Sequence, residues 1–206
     1  MLWLEVNQDV VFEDCLGRDA RRKAHAANCG QRSESIMMQD KTLYLLATFD
    51  EGTQGTLTGY YDVLHQNGFI GSQTKNIPYH FTLGSRSVDC EEQTISDLEK
   101  ICSETSSFEI NLAHIGSFGL NALFISPNMN FELLKLQQSF FPDSGNGYHL
   151  WTAHATLLID KPEIIHKALP IIAENFKPLK ARIVSIALYE FFPARFISEY
   201  KLDGEA

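Results

Sequence analysis

One phrase occurs twice in this chain: His80-Phe81-Thr82-Leu83 within IPYHFTLGS, and His154-Ala155-Thr156-Leu157 within LWTAHATLLI. Both copies lie in apolar, β-branched and aromatic surroundings bounded by turn residues, the composition of a strand. Side chains alternate between the faces of a strand, so each His points the same way as the Thr two residues on. Phe81 and Leu83, like Ala155 and Leu157, then turn toward the core. One copy is a weak signal, but two copies on two candidate strands constrain the fold: each strand must offer an imidazole and a hydroxyl together.

The elements around the two copies repeat as well. Thr42–Phe49 (TLYLLATF) reads as a buried strand, Asp50–Gly55 as a turn or helix entry, and Thr56–Gln66 as a helix with Leu57, Tyr60, Tyr61 and Leu64 on one face. After the first His strand come a helix over 91–104 and an alternating strand, Phe108–Ile115, followed by a turn at Gly116-Ser117-Phe118-Gly119. The order then restarts. Leu120–Ile125 is a strand, Asn128–Phe140 a helix, Pro142–Gly147 a loop and Leu150–Ile159 the second His strand. A helix starting at Pro162 runs to Asn175, and strands over Ala181–Phe191 and Arg195–Leu202 complete the chain. Each half thus reads strand, helix, H-x-T-L strand, helix, strand. The fold class expected is α+β: duplicated βαβαβ lobes about a pseudo-two-fold axis, with mostly antiparallel sheets flanking a central cleft and helices outside. Residues 39–206 would form this single bilobal domain, and residues 1–38, which lack a clean period, a flexible leader.

Composition narrows the function. A hydrophobic content of 44% in 206 residues suits one globular domain. No apolar run reaches the roughly 18 residues of a membrane span, and no secretory signal is visible, so a cytoplasmic, membrane-independent monomer is expected. The four cysteines contain no C-x-x-C pair, which favours reduced structural thiols. A net charge of −9 argues against a protein that grips a long nucleic-acid backbone, because that affinity comes mainly from Lys and Arg. It leaves room for a small nucleotide, or the end of an RNA strand, held in one pocket.

Two imidazoles that titrate near neutrality can act as base and acid in one turnover. In-line attack at phosphorus needs a proton removed on one side and delivered on the other, and the two threonine hydroxyls can donate to the oxygens that gain charge. A zinc site would want a Cys, Asp or Glu beside the histidines, and neither motif has one. A Ser or Cys nucleophile lacks its signature. No metal and no cofactor are therefore expected. Tyr79 and Trp151, at odd offsets from the histidines, should face the core, and His65, His114 and His166 read as bystanders.

The paired motifs in a duplicated α+β chain resemble the two-histidine (2H) phosphoesterase superfamily, in particular its 2′-5′ RNA ligase and cyclic-phosphodiesterase branch, over about residues 41–202. The resemblance implies a metal-independent phosphodiesterase acting on 2′,3′-cyclic phosphates or 2′-5′-linked nucleotide or RNA-end substrates. His80 and His154 would be its acid-base pair, and Thr82 and Thr156 its phosphate ligands. The few basic residues near the motifs (Lys75, Arg86, Lys161) favour a small nucleotide over a tRNA. Phe118 is placed at the cleft mouth as a candidate base-stacking ring. The alternative is a non-catalytic nucleotide-binding module that retains the pocket.

Overall fold

The computed structural model describes residues 41–142 and 151–204. The expected leader, most of the loop after Phe141, and His149 lie outside them. Seven strands are present among the described residues: β1 (Thr42–Phe49), β2 (His80–Ser87), β3 (Phe108–Phe118), β4 (Ala122–Pro127), β5 (Ala155–Ile159), β6 (Leu179–Phe191) and β7 (Arg195–Lys201). Four α-helices alternate with them: α1 (Glu51–Gln66), α2 (Glu91–Glu104), α3 (Phe131–Phe140) and α4 (Pro162–Asn175).

All pairings are antiparallel, and the strands form one sheet in the order β2-β1-β6-β3-β4-β5, with β7 attached to β6. This order carries the duplication. Exchanging β1 with β4, β2 with β5 and β3 with β6 returns the same sequence of strands read backwards. Each half therefore hands its last strand to the other half, and the pseudo-two-fold axis runs between β3 and β6. The long β6 makes this possible. One edge pairs with β1, while the other pairs first with β3 and then with β7. The expected lobes thus share a single continuous sheet.

Several boundaries move from their sequence expectation for local reasons. The first helix starts at Glu51 rather than Thr56, because the Asp50 carboxylate accepts from both the backbone N–H and the hydroxyl of Thr53. The third starts at Phe131, where Asn130 accepts from the N–H of Leu133. Strand β3 continues through Phe118, and the turn falls at Gly119-Leu120, both at positive φ. The strand expected from Leu150 begins only at Ala155, since its pairing with β4 ends at Ile125↔Ala155. His154 consequently stands just ahead of its strand.

The core forms where the apolar faces of both halves meet. Leu43, Leu45, Phe81, Leu83, Ala155 and Leu157 are buried. Cys102 is a free buried thiol, pushed up to about 12 chiefly by burial. Cys90 departs from the reduced state expected for it: it is disulfide-bonded, with its partner outside the described residues. No helix among the described residues is long and apolar enough to cross a membrane.

Candidate active site

The two motif strands are the outermost strands of the sheet path, yet β2 and β5 touch each other. The ends of the sheet must therefore come round to face one another. The indole N–H of Trp151 fastens the closure, donating to the carbonyl of Thr82 at 2.8 Å. Trp151 also packs against the core, as its offset suggested.

Alternation holds in both copies. Phe81, Leu83, Ala155 and Leu157 are buried, whereas His80, Thr82, His154 and Thr156 are half-buried on the opposite side. The motif leucines have a further role that periodicity could not reveal. The register passes from Leu46↔Thr82 to Leu45↔Gly84, leaving Leu83 without an opposite residue. It passes from Phe124↔Thr156 to Leu123↔Leu158, leaving Leu157 likewise unmatched. Each copy thus places a β-bulge on its leucine. A bulge bends the strand and re-aims the side chains next to it, here the threonine.

A bulge also strips a backbone group of its ladder partner, and a buried carbonyl needs another donor. Glutamines from opposite halves of the chain supply it. The amide of Gln137 on α3 donates to the Leu83 carbonyl at 3.3 Å, and that of Gln73 to the Leu157 carbonyl at 3.5 Å. Gln73 also accepts from the N–H of Ile159, so its loop is seated along the free edge of β5. Neither glutamine stands out in the sequence, because its meaning depends on a strand far away in the chain.

Each histidine is held in the same way. The Nδ1 of His80 lies 2.7 Å from the carbonyl of Pro78, and that of His154 lies 2.7 Å from the carbonyl of Thr152. A carbonyl only accepts, so Nδ1 carries the hydrogen in both rings, and Nε2 is left with the lone pair. The lead-in to His80 is clamped further by Gln54 of α1. Its amide donates to the Tyr79 carbonyl at 2.8 Å, and its oxygen accepts from the Tyr79 N–H at 2.9 Å. Behind His154 stand two rings, Phe118 edge-on at 4.8 Å and Phe124 at 5.2 Å between centroids. Phe124 lies flat across Gly116, where even a Cβ would come within 2.2 Å of its ring. Phe118 thus backs a histidine from the end of a strand.

Burial lowers the proton affinity of both imidazoles. His80 is brought down to about 4, chiefly by burial and further by the charge of His154, against the opposing bond to Pro78. The charge of His154 thus reaches His80. His154 is lowered too, by burial, with the bond to Thr152 acting in the opposite direction. Both shifts favour the neutral imidazole at pH 7.

A cavity of about 650 Å³ opens beside His80, lined by His80, Thr82 and Thr156 together with α1, the loop after it and the end of β6; His154 is not among its lining residues. Neither threonine hydroxyl has a hydrogen-bond partner among the described residues. His65, read as a bystander, lines this cavity with Tyr61 and Asp62, as does Lys75. These residues belong to no motif, and only the docking of α1 against the edge strands brings them there. Tyr79, expected to face the core, does pack against it and also borders the cavity. His114 instead bonds Asn128 at 2.8 Å, and Arg86 is held by Asp97 at 2.6 Å and by the Phe140 carbonyl. Among the described residues no cluster of three or more His, Cys, Asp or Glu side chains is arranged to hold a metal ion.

Solved structures share this architecture. TT0787 of Thermus thermophilus matches over 80% of this chain and 100% of its own, with a TM-score of 0.56 at 15% identity. E. coli LigT in complex with phosphate matches over 79% of this chain and 97% of its own, with a TM-score of 0.54 at 14% identity. A structure described as a phosphoesterase gives 0.53 at 14% identity, over 79% of this chain and 98% of its own.

The chain has the LigT fold.

Neither a protein-family model nor a curated protein matches it by sequence. The resemblance read from the two H-x-T-L phrases is thus met at the level of the LigT architecture.

Proposed function

We propose that the protein is a metal-independent phosphodiesterase that opens 2′,3′-cyclic phosphates, or related 2′-5′-linked nucleotide or RNA ends, by two-histidine acid-base catalysis. The observation that carries this reading is the matched pair of histidines. Each donates Nδ1–H to the carbonyl two residues back and each keeps Nε2 for chemistry, and the charge of His154 reaches His80. LigT, which shares the fold, has been solved with phosphate and with 3′-AMP, ligands of the class proposed here.

In the reaction, one Nε2 takes a proton from water as the water oxygen bonds to phosphorus. The bond from phosphorus to one ribose oxygen breaks, and the other imidazolium returns a proton to that oxygen. The Thr82 and Thr156 hydroxyls donate to the non-bridging oxygens as their charge grows. Burial lowers the proton affinity of both rings, so the acid gains its proton as the anionic substrate binds.

The test is turnover of a 2′,3′-cyclic nucleotide. His80→Ala and His154→Ala should each lower kcat by roughly 10²–10⁴-fold, and Thr82→Val or Thr156→Val by roughly 10²–10³-fold, while EDTA leaves the rate unchanged. Full activity in His80→Ala would remove the assignment. Nucleotide binding with no turnover of any cyclic or 2′-5′ diester would make the protein a binding module.

A further inference from the structure

Resting on the two-histidine reading, we infer that the protein takes the end of a single-stranded oligonucleotide, with at least two bases seated on an aromatic floor running from the His80 cavity to Phe196. The floor is built by three adjacent strands. Tyr44 of β1 lies opposite Tyr189 of β6, which in turn lies opposite Phe196 of β7, so all three side chains share the face that holds the cavity. Their rings connect through Phe191: Tyr44 to Phe191 at 5.2 Å, Phe191 to Tyr189 at 6.1 Å and Tyr189 to Phe196 at 5.4 Å. Phe192 joins the row at 5.2 Å from Phe191.

One end of this row is inside the site. Tyr44, Phe191 and Phe192 line the same cavity as His80, Thr82 and Thr156. The other end leaves it: Phe192 is 40% exposed and Phe196 53% exposed. Large apolar rings standing in water beside a reactive cleft lose little by accepting a flat partner, and every nucleobase offers one. A base attached to the reacting phosphate would lie against Phe192, and the next base against Phe196.

Charge supports stacking over backbone capture. The chain carries −9, and among the cavity's lining residues Lys75 is the single Lys or Arg. Arg195, near Phe196, is already bound to Glu190 at 2.6 Å and Glu91 at 2.8 Å. A ligand gripped along its phosphates has no rail here, whereas base stacking needs none. Phe118, the ring expected to stack from the sequence, lies at the other side of the site, in contact with His154 and Phe124.

The experiment measures binding on the full chain at one salt concentration, with three probes: inorganic phosphate, a nucleoside 3′-phosphate and a 3′-phosphorylated RNA trinucleotide. The trinucleotide should bind tighter than the mononucleotide by roughly 5- to 150-fold, the worth of one stacked base. Phe192→Ala should weaken both nucleotides and leave phosphate unaffected. Phe196→Ala should weaken the trinucleotide by roughly that same factor and the mononucleotide by much less. A trinucleotide no tighter than the mononucleotide, or a Phe196→Ala protein that binds it normally, overturns the inference. So does a fall in thermal stability of both variants with nucleotide affinity unchanged, since the floor would then be covered by the protein itself. Failure of the catalytic reading shows elsewhere, as undiminished cyclic-phosphate turnover in His80→Ala.

Discussion

At the scale of single residues, the proposed acid-base chemistry draws on the difference between the two nitrogens of each imidazole. The backbone carbonyls of Pro78 and Thr152 commit Nδ1, so Nε2 keeps its lone pair. Burial then makes the charged form costly, with two consequences in pH. The first concerns stability. Unfolded, His80 protonates near 6.5; folded, only near 4. Between these values the unfolded chain binds more protons, so stability rises with pH across the window and falls as pH drops from 6.5 toward 4. The loss attributable to His80 is at most about 3 kcal/mol. Denaturant midpoints from pH 4 to 7 should show a shallower acid decline for His80→Gln than for the parent protein, and parallel curves would contradict the low proton affinity. The second concerns rate. With both imidazoles lowered, the singly protonated pair is most populated below pH 6.5, so kcat/KM should peak on the acid side of neutrality. On the proposed reading, a bound anionic substrate raises the proton affinity of the rings, so the kcat profile should lie at higher pH than the kcat/KM profile.

Among the elements, the motif strands could be recognised from the chain because alternation and the repeated phrase are local. Their bulges could not. Leu83 and Leu157 read as ordinary core leucines, and only the pairing with β1 and β4 shows that each is the extra residue of its strand. The same holds for the groups that satisfy those bulges. Replacing Gln137 by Leu removes the donor to the Leu83 carbonyl, and leaving such a buried acceptor unmet costs roughly 1–3 kcal/mol. Urea melts should register that loss, with turnover reduced beyond it because Thr82 is no longer correctly aimed. Trp151→Phe keeps most of the packing and removes the bond to Thr82, the tie between the two edge strands. Its expected signature is a lower kcat with KM little changed and a stability loss of about 1 kcal/mol. A variant with normal kcat would show that the closure is held elsewhere.

For the molecule as a whole, the fold is a duplication in which each half lends its last strand to the other, so the two His-Thr strands sit at opposite ends of one shared sheet. The acidic balance of −9 gives another expectation. Nucleotide affinity should depend weakly on salt, with a slope of log K against log salt no steeper than about −1, because few phosphates are met by cations. A steep slope would reveal a basic track outside the described residues. The chain alone determined that there would be two strands each bearing an imidazole and a hydroxyl, that they belong to matching halves, and that the whole is α+β. Those properties follow from the two-residue period of a strand, from turn chemistry and from a repeated order of elements, all encoded within a few residues of one another. Tertiary structure decided the rest: that the end strands of one sheet close on each other, that Phe118 backs a histidine, that His65 and Lys75 reach the cavity, and that Tyr44, Tyr189 and Phe196 form one floor. Each of these joins residues far apart in the chain, and no local period records which distant strand a side chain will meet.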